Sequence, residues 1–263
     1  MNLFKKPTYK HAMVELLWKC SLDNCPYCIT HYANWQHIKN DIVHTKDEWL
    51  SAISKLDPSI IDFVGGEPFL FPGFIDMLCD IDFIGKHKVA ITTNLHHNKI
   101  DEFIRRVNPK NVVSVNCSFH SSGRMSPNHF IAEILKLRNA RFHASVNVVQ
   151  HPSNYQNLPD VFRLCNANNI QISLSPLEDV NLIDNKRTFA CDCGETSIVI
   201  NSNGDIYPCL TAMSNGKPHG NIFTDGNVYK KIESCRLPCA SYYILNVLHN
   251  SKNINSNNVW VIG

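Results

Sequence analysis

Residues 60–93 read IIDFVGGEPFLFPGFIDMLCDIDFIGKHKVAITT. Ile60 to Val64 is a short apolar run that predicts a buried strand, and it stops at the pair Gly65-Gly66. A helix is expected from about Pro72 to Asp80, and Val89 to Thr93 reads as another strand. The same rhythm extends in both directions. Upstream, Ala12 to Trp18 predicts a first strand, and a helix is expected from Lys46 to Leu56. There Thr45 and Glu48 form a capping-box pair, and Trp49, Leu50, Ile53 and Leu56 recur at helical spacing. Downstream, Ile100, Phe103, Ile104 and Val107 give a helix its apolar face. Strands follow at Val112 to Ser118, Phe142 to Val149 and Ile170 to Leu174, with helices at Pro127 to Arg138 and Leu158 to Asn168. Short apolar strands separated by amphipathic helices predict an α/β fold, with a parallel sheet either open or closed into a barrel. In both forms ligands bind at the loops that follow the strand C-terminal ends.

The first of those loops carries WKCSLDNCPYC, residues 18–28. Cys20, Cys25 and Cys28 have the look of a metal site, because three thiolates on one short loop can hold three irons of a 4Fe-4S cubane and leave the fourth without a protein ligand. Such a cluster points to redox or radical chemistry that ordinary side chains cannot supply. The chain has 263 residues, 44% of them hydrophobic, which is enough for one large domain with or without a small appendage. A net charge of +2 leaves no footprint for nucleic acid or an anionic membrane. No stretch reaches the roughly 18 apolar residues of a membrane span, and the opening residues MNLFKKPTYK lack the apolar run expected of a signal peptide. Eleven cysteines, clustered rather than paired, fit a reducing compartment, so the cytoplasm is expected. The scattered Cys79, Cys117 and Cys165 read as buried apolar residues.

Together, the cysteine triad, the Gly65-Gly66-Glu67-Pro68 segment and the order of elements resemble the radical S-adenosylmethionine (SAM) enzymes, over roughly residues 10–180. The resemblance implies a partial (βα)6 barrel whose first loop binds the cluster through Cys20, Cys25 and Cys28, with SAM on the open iron. Tyr27 matches the residue near the adenine, and Gly65, Gly66, Glu67 and Pro68 match the segment that contacts the SAM amino group. The glycine pair also has a direct reading, since a close approach to backbone excludes a Cβ; the competing reading is a plain turn. One departure is the gap of four residues between Cys20 and Cys25, where the family has three. Ser118 and Asn147 fall where the family binds the SAM carboxylate or ribose, and Asn94 points to the same rim. A serine or asparagine at a strand end is more often a turn or helix-cap residue than a ligand contact. His120 is a candidate proton donor or substrate contact, with a solvent-facing loop histidine as its plain alternative; His96 and His97 carry the same ambiguity.

A second cysteine group comprises Cys191, Cys193, Cys209, Cys235 and Cys239. The run SIVINSNGDIYPC predicts a hairpin ending at Cys209, and the thiols gathered there suit zinc or a second iron-sulfur cluster. CDCGETSIVINSNGDIYPC resembles the start of the SPASM and twitch extensions of the same family. That implies a small cysteine-rich twitch-like domain over 186–263 beside a core over 1–185, with an auxiliary 4Fe-4S cluster on Cys191, Cys209, Cys235 and Cys239. Cys193 is then spare, or a hydrogen donor in an epimerase.

The implied activity is reductive cleavage of SAM to a 5′-deoxyadenosyl radical that takes hydrogen from a substrate, fed by a donor such as flavodoxin or ferredoxin. The short stretch ahead of Cys20 tilts the expected substrate towards a small polar metabolite that is dehydrogenated or epimerised. A maturase acting on a peptide or protein is the alternative. A zinc-stabilised or SAM-binding module without catalysis is the alternative of a different class.

Overall fold

Six strands, β1 (Lys10–Glu15), β2 (Ser59–Val64), β3 (Lys88–Thr93), β4 (Val112–Phe119), β5 (Ala144–Val149) and β6 (Ile172–Ser175), lie side by side in chain order, each pair of neighbours parallel. The computed structural model describes residues 9–22, 25–28, 44–175, 193–225, 228–230 and 259–261. Connecting the strands are α1 (Lys46–Ser54), α2 (Phe74–Ile84), α3 (Ile100–Arg106), α4 (Pro127–Asn139), α5 (Pro152–Tyr155) and α6 (Leu158–Ala167). The sheet is the expected α/β partial barrel and it does not close. Instead β7 (Ser197–Ile200) pairs in parallel with the free side of β1. From there the sheet continues antiparallel through β8 (Asp205–Tyr207) to β9 (Gly220–Asn221), with α7 (Leu210–Ser214) between these two. At the other edge β10 (Val259–Val261) pairs with β6. The predicted hairpin is present as β7 and β8, and it extends the main sheet.

Local sequence accounts for most boundaries. Thr45 Oγ1 accepts the Glu48 N–H at 3.3 Å and Glu48 returns an acceptor to the Thr45 N–H at 2.7 Å, so α1 starts with the expected capping box. β1 ends earlier than the expected Trp18. Beyond Glu15 the chain leaves the ladder, and its Leu17 and Lys19 carbonyls accept from Gly66 and Glu67, each at 3.0 Å. α2 begins at Phe74 because Pro68–Leu70 first makes a separate 3-10 turn, and it runs on to Ile84, past the expected end at Asp80. β5 and β6 each start two residues later than expected, after the turns that close α4 and α6.

The strands are less uniformly apolar than a sheet buried on both faces requires. In β2 and β5 burial alternates with the period of two that a pleated strand imposes. Ile61, Phe63, Val146 and Val148 face the helices and are at most 1% exposed. Their alternates, including Asp62, Ser145 and Asn147, face the inside of the curved sheet and keep partial contact with solvent. The helical side is packed by aromatic rings: Phe74 meets Phe63 and Phe69 edge-on at 5.3 and 5.1 Å, and Phe69 meets Phe103 at 5.5 Å. Phe223, just past β9, stacks on His44 at 3.8 Å and meets Trp49 edge-on at 5.0 Å, tying the strand extension to α1.

Candidate functional site

At the C-terminal ends of β1 to β5 the curved sheet opens into a cavity of about 850 Å³. Cys20, Cys25 and Cys28 all line it, joined by Tyr27 from the same loop. Gly65 and Gly66 adjoin them from the end of β2, and Ser118 lines the cavity from the end of β4. Glu67, Pro68 and Asn147, the other expected contacts, are not among the lining residues.

The glycine pair is set by its neighbours. Gly65 has φ +108°, a conformation that side chains with a Cβ rarely adopt, and a Cβ there would lie 2.8 Å from the Leu17 carbonyl oxygen. At Gly66 a Cβ would lie 2.1 Å from the Lys19 oxygen. The end of β2 and the entry to the cysteine loop therefore lie backbone to backbone, and that contact fixes where Cys20 begins.

Glu67 turns inward beneath this contact and is fully buried. Its Oε1 accepts the Phe69 N–H at 3.2 Å and the Thr93 hydroxyl at 2.8 Å, while Oε2 accepts the Asn94 N–H at 2.8 Å. Burial nonetheless pushes its carboxyl up to about 7, against those three bonds. The position seen for Glu67 is thus a clamp between the ends of β2 and β3. Asn147 is similarly engaged, its Oδ1 accepting the hydroxyls of Ser173 at 3.1 Å and Ser175 at 2.8 Å.

Around the triad, Cys20 Sγ accepts from the Leu22 N–H and from Asn94 Nδ2, both at 3.3 Å. Burial raises the Cys20 thiol, and the Leu22 bond opposes it. Cys25 Sγ is 3.0 Å from Ser122 Oγ, and the Cys28 N–H bonds the Cys25 carbonyl at 3.0 Å. Tyr27 is held from across the cavity mouth. Its phenol oxygen lies 2.7 Å from His120 Nδ1 and 3.3 Å from Asn154 Oδ1, and its ring stacks with His120. Burial lowers His120 to about 4, which keeps it neutral, and raises the Tyr27 phenol. His97, packed flat on Phe69 at 4.2 Å, is also lowered to about 4 by burial. It and Glu67 form an interior pair, with Nε2 3.8 Å from Oε1.

Among the described residues no group of three or more His, Cys, Asp or Glu side chains converges to hold a single metal ion. A cubane asks for something different, because each thiolate binds a separate iron of a cluster several ångströms across. Three thiols lining one cavity suit that donor set. In the second group, Cys209 caps α7, its Sγ accepting the Ala212 N–H at 3.4 Å. Cys193 makes an isolated bridge to Ser197. Cys191, Cys235 and Cys239 lie outside the described residues. Leu210, next to Cys209, reaches the wall of the main cavity.

Two residues of the site, one on the cavity wall and one bonded to Cys25, escaped the sequence reading. Glu15, on β1, is 2% exposed and lines the cavity; the signal was a lone carboxylate inside the apolar run AMVELLW. Ser122 had no local signal, since it meets Cys25 across 97 residues.

Among known proteins, the profile described as the radical SAM superfamily matches residues 19–165. A curated relative, the 7-carboxy-7-deazaguanine synthase of Clostridium acetobutylicum, is 35% identical over 75 residues, which cover 28% of this chain and only 33% of the relative. The crystal structure of Streptococcus suis SuiB matches with a TM-score of 0.64 at 16% identity, covering 85% of this chain and 66% of that one. Native anSMEcpe with bound AdoMet matches with a TM-score of 0.63 at 13% identity, covering 84% and 80% of the two chains. At these identities the structural likeness speaks for the fold alone.

Proposed function

We propose, given that this chain belongs to the radical SAM superfamily of enzymes, that Cys20, Cys25 and Cys28 hold its 4Fe-4S cluster and that the adjoining cavity takes SAM and substrate. The observation that carries this reading is the meeting of all three cysteines with Gly65 and Gly66 in one cavity at the strand C-terminal ends. When bound, the cluster and SAM supply a one-electron cleavage that yields a hydrogen-abstracting 5′-deoxyadenosyl radical.

The chain's own residues prepare the site for that chemistry. Gly65 and Gly66 leave backbone exposed for the amino end of SAM, and Ser118 offers a hydroxyl from the end of β4. Glu67 acts from beneath, holding the β3 end in place. Tyr27, pinned by His120 and Asn154, closes one side of the cavity and limits water there. Neutral His120 presents its ring to the cavity as a hydrogen-bonding group rather than a cation.

The substrate in this proposal is a small polar metabolite that is dehydrogenated or epimerised. Support comes from the uncharged hydroxyl side chains of Thr92 and Ser118 on the cavity wall, and from the local similarity to a 7-carboxy-7-deazaguanine synthase. A peptide substrate is the second reading, favoured by the likeness to SuiB, whose structure is also known with the precursor peptide SuiA. An auxiliary cluster on Cys191, Cys209, Cys235 and Cys239, within a domain over 186–263, completes the proposal as an electron conduit.

Anaerobic reconstitution tests it. About eight irons per chain support two cubanes, about four support one, and zinc without sulfide rejects the reading. Reduced enzyme given SAM should release 5′-deoxyadenosine; Cys20→Ala, Cys25→Ala and Cys28→Ala should each abolish that release.

A further inference from the structure

We infer that Asn94 and Ser122 are positioning residues that donate hydrogen bonds to the sulfurs of Cys20 and Cys25 and so raise the reduction potential of the centre those cysteines hold. The inference rests on the triad binding that centre.

Asn94 follows β3 and is 5% exposed. Its Oδ1 accepts the His96 N–H at 2.8 Å and the Ser21 hydroxyl at 3.1 Å. A backbone N–H can only donate, so the oxygen end of the amide is fixed on that side. The NH2 end must then face Cys20, whose Sγ lies 3.3 Å away. The Asn94 backbone N–H is bonded to buried Glu67 at 2.8 Å, so main chain and side chain are both held before any cluster arrives.

Ser122 belongs to the 3-10 turn Ser121–Gly123 after β4. Asn154 Oδ1 accepts the Ser121 N–H and Asn157 Nδ2 donates to Ser121 Oγ, each at 3.1 Å, which orients the turn. The Ser122 hydroxyl is 3.0 Å from Cys25 Sγ. A ligating thiolate carries no proton, so in the loaded protein Ser122 is the donor. These two donors come from strand ends 74 and 97 residues away from their cysteines, not from the cysteine loop itself.

Reduction moves one electron from an external reductant onto the cluster, and the added negative charge spreads onto its sulfur ligands. N–H and O–H dipoles already aimed at those sulfurs stabilise the reduced state more than the oxidised one. Removing them makes the centre harder to reduce.

The test uses full-length, anaerobically reconstituted protein in a dithionite titration followed by EPR, with the open centre identified as the signal that shifts on adding SAM. Asn94→Asp keeps an acceptor for the His96 N–H but turns the donor facing Cys20 into a carboxylate oxygen. Asn94→Ala and Ser122→Ala simply delete the donors. All three should hold the parent's iron and sulfide. Each deletion should lower the reduced-to-oxidised ratio at a fixed potential about tenfold, a shift of about 59 mV for one electron. Asn94→Asp should fall furthest, and Ser122→Thr, which keeps the hydroxyl, should restore the parent value. Unchanged potentials overturn the inference. So does loss of the cluster in both deletions, which would show the side chains building the site instead of tuning it. If Cys20→Ala retains the SAM-responsive signal, the assignment of the triad fails instead, so the two failures are separable.

Discussion

Replacing Gly66 by alanine should uncouple the cysteine loop from β2. The added Cβ would lie 2.1 Å from the Lys19 oxygen, 2.5 Å from its carbonyl carbon and 2.6 Å from the Trp18 oxygen, where real Cβ atoms keep at least 3.0 Å. All three obstacles are backbone, so no side-chain rotation relieves them. The two segments must part by nearly an ångström, which stretches the 3.0 Å bonds from Gly66 N–H to Leu17 and from Glu67 N–H to Lys19 beyond useful length. Losing two bonds costs about 1 kcal/mol each, and overpacking adds about 1–3 kcal/mol, for a total of about 3–5 kcal/mol. Against a typical domain stability of about 5–15 kcal/mol, the variant should still fold. Urea unfolding should report the loss, and iron analysis after anaerobic reconstitution should show the triad failing to load fully. A Gly66→Ala protein within about 0.5 kcal/mol of the parent, with full iron, would refute the view that this contact positions Cys20.

Other perturbations have equally definite outcomes. Glu67→Gln places an NH2 against at least one of the three donors that the carboxylate now accepts, and should cost about 1–3 kcal/mol in urea unfolding. His87 is 1% exposed, its Nδ1 accepts the Ser59 N–H, and burial holds it at about 4 instead of 6.5. Because the folded value is depressed, its contribution is complete above pH 6.5 and drains away as pH falls towards 4. His87→Asn keeps an acceptor for Ser59, so it should flatten that acid limb in pH-dependent thermal melts. Phe223→Ala removes the ring packed on Trp49 and His44. Since Phe223 is only partly buried, about 3 kcal/mol is expected, together with faster proteolysis between β7 and β9.

What could be read from the sequence was local. The βα rhythm follows from apolar periodicity, the α1 start from Thr45 and Glu48 a single turn apart, and the cysteine loop from three cysteines within nine positions. Glu67 was legible as a carboxylate beside a glycine pair, but not its burial, which depends on donors from Thr93 and Asn94 in the next unit. α5 spans four residues, too few for any helical period to register. The polar inner face was hidden for a related reason: a residue such as Asp62 or Asn147 in a short apolar run looks like noise until the sheet curves and gives its alternate positions a common interior. The bonds from Asn94 and Ser122 to cysteine sulfur join distant stretches, and only the assembled barrel brings them together.

The placement of β7 beside β1 also sets an order of assembly. From β1 to β6 each new strand adds to the one just made, so the sheet can grow as the chain emerges, through connections of modest length. The other edge of β1 has to wait, because His11 meets Ser197 only after the whole barrel has been synthesised. Until then the strand that leads into the cysteine loop is an open edge able to pair with another nascent chain. Aggregation during expression should therefore track how quickly the β7–β8 hairpin arrives and docks, so chains truncated before residue 197 should be far less soluble than those that include the hairpin.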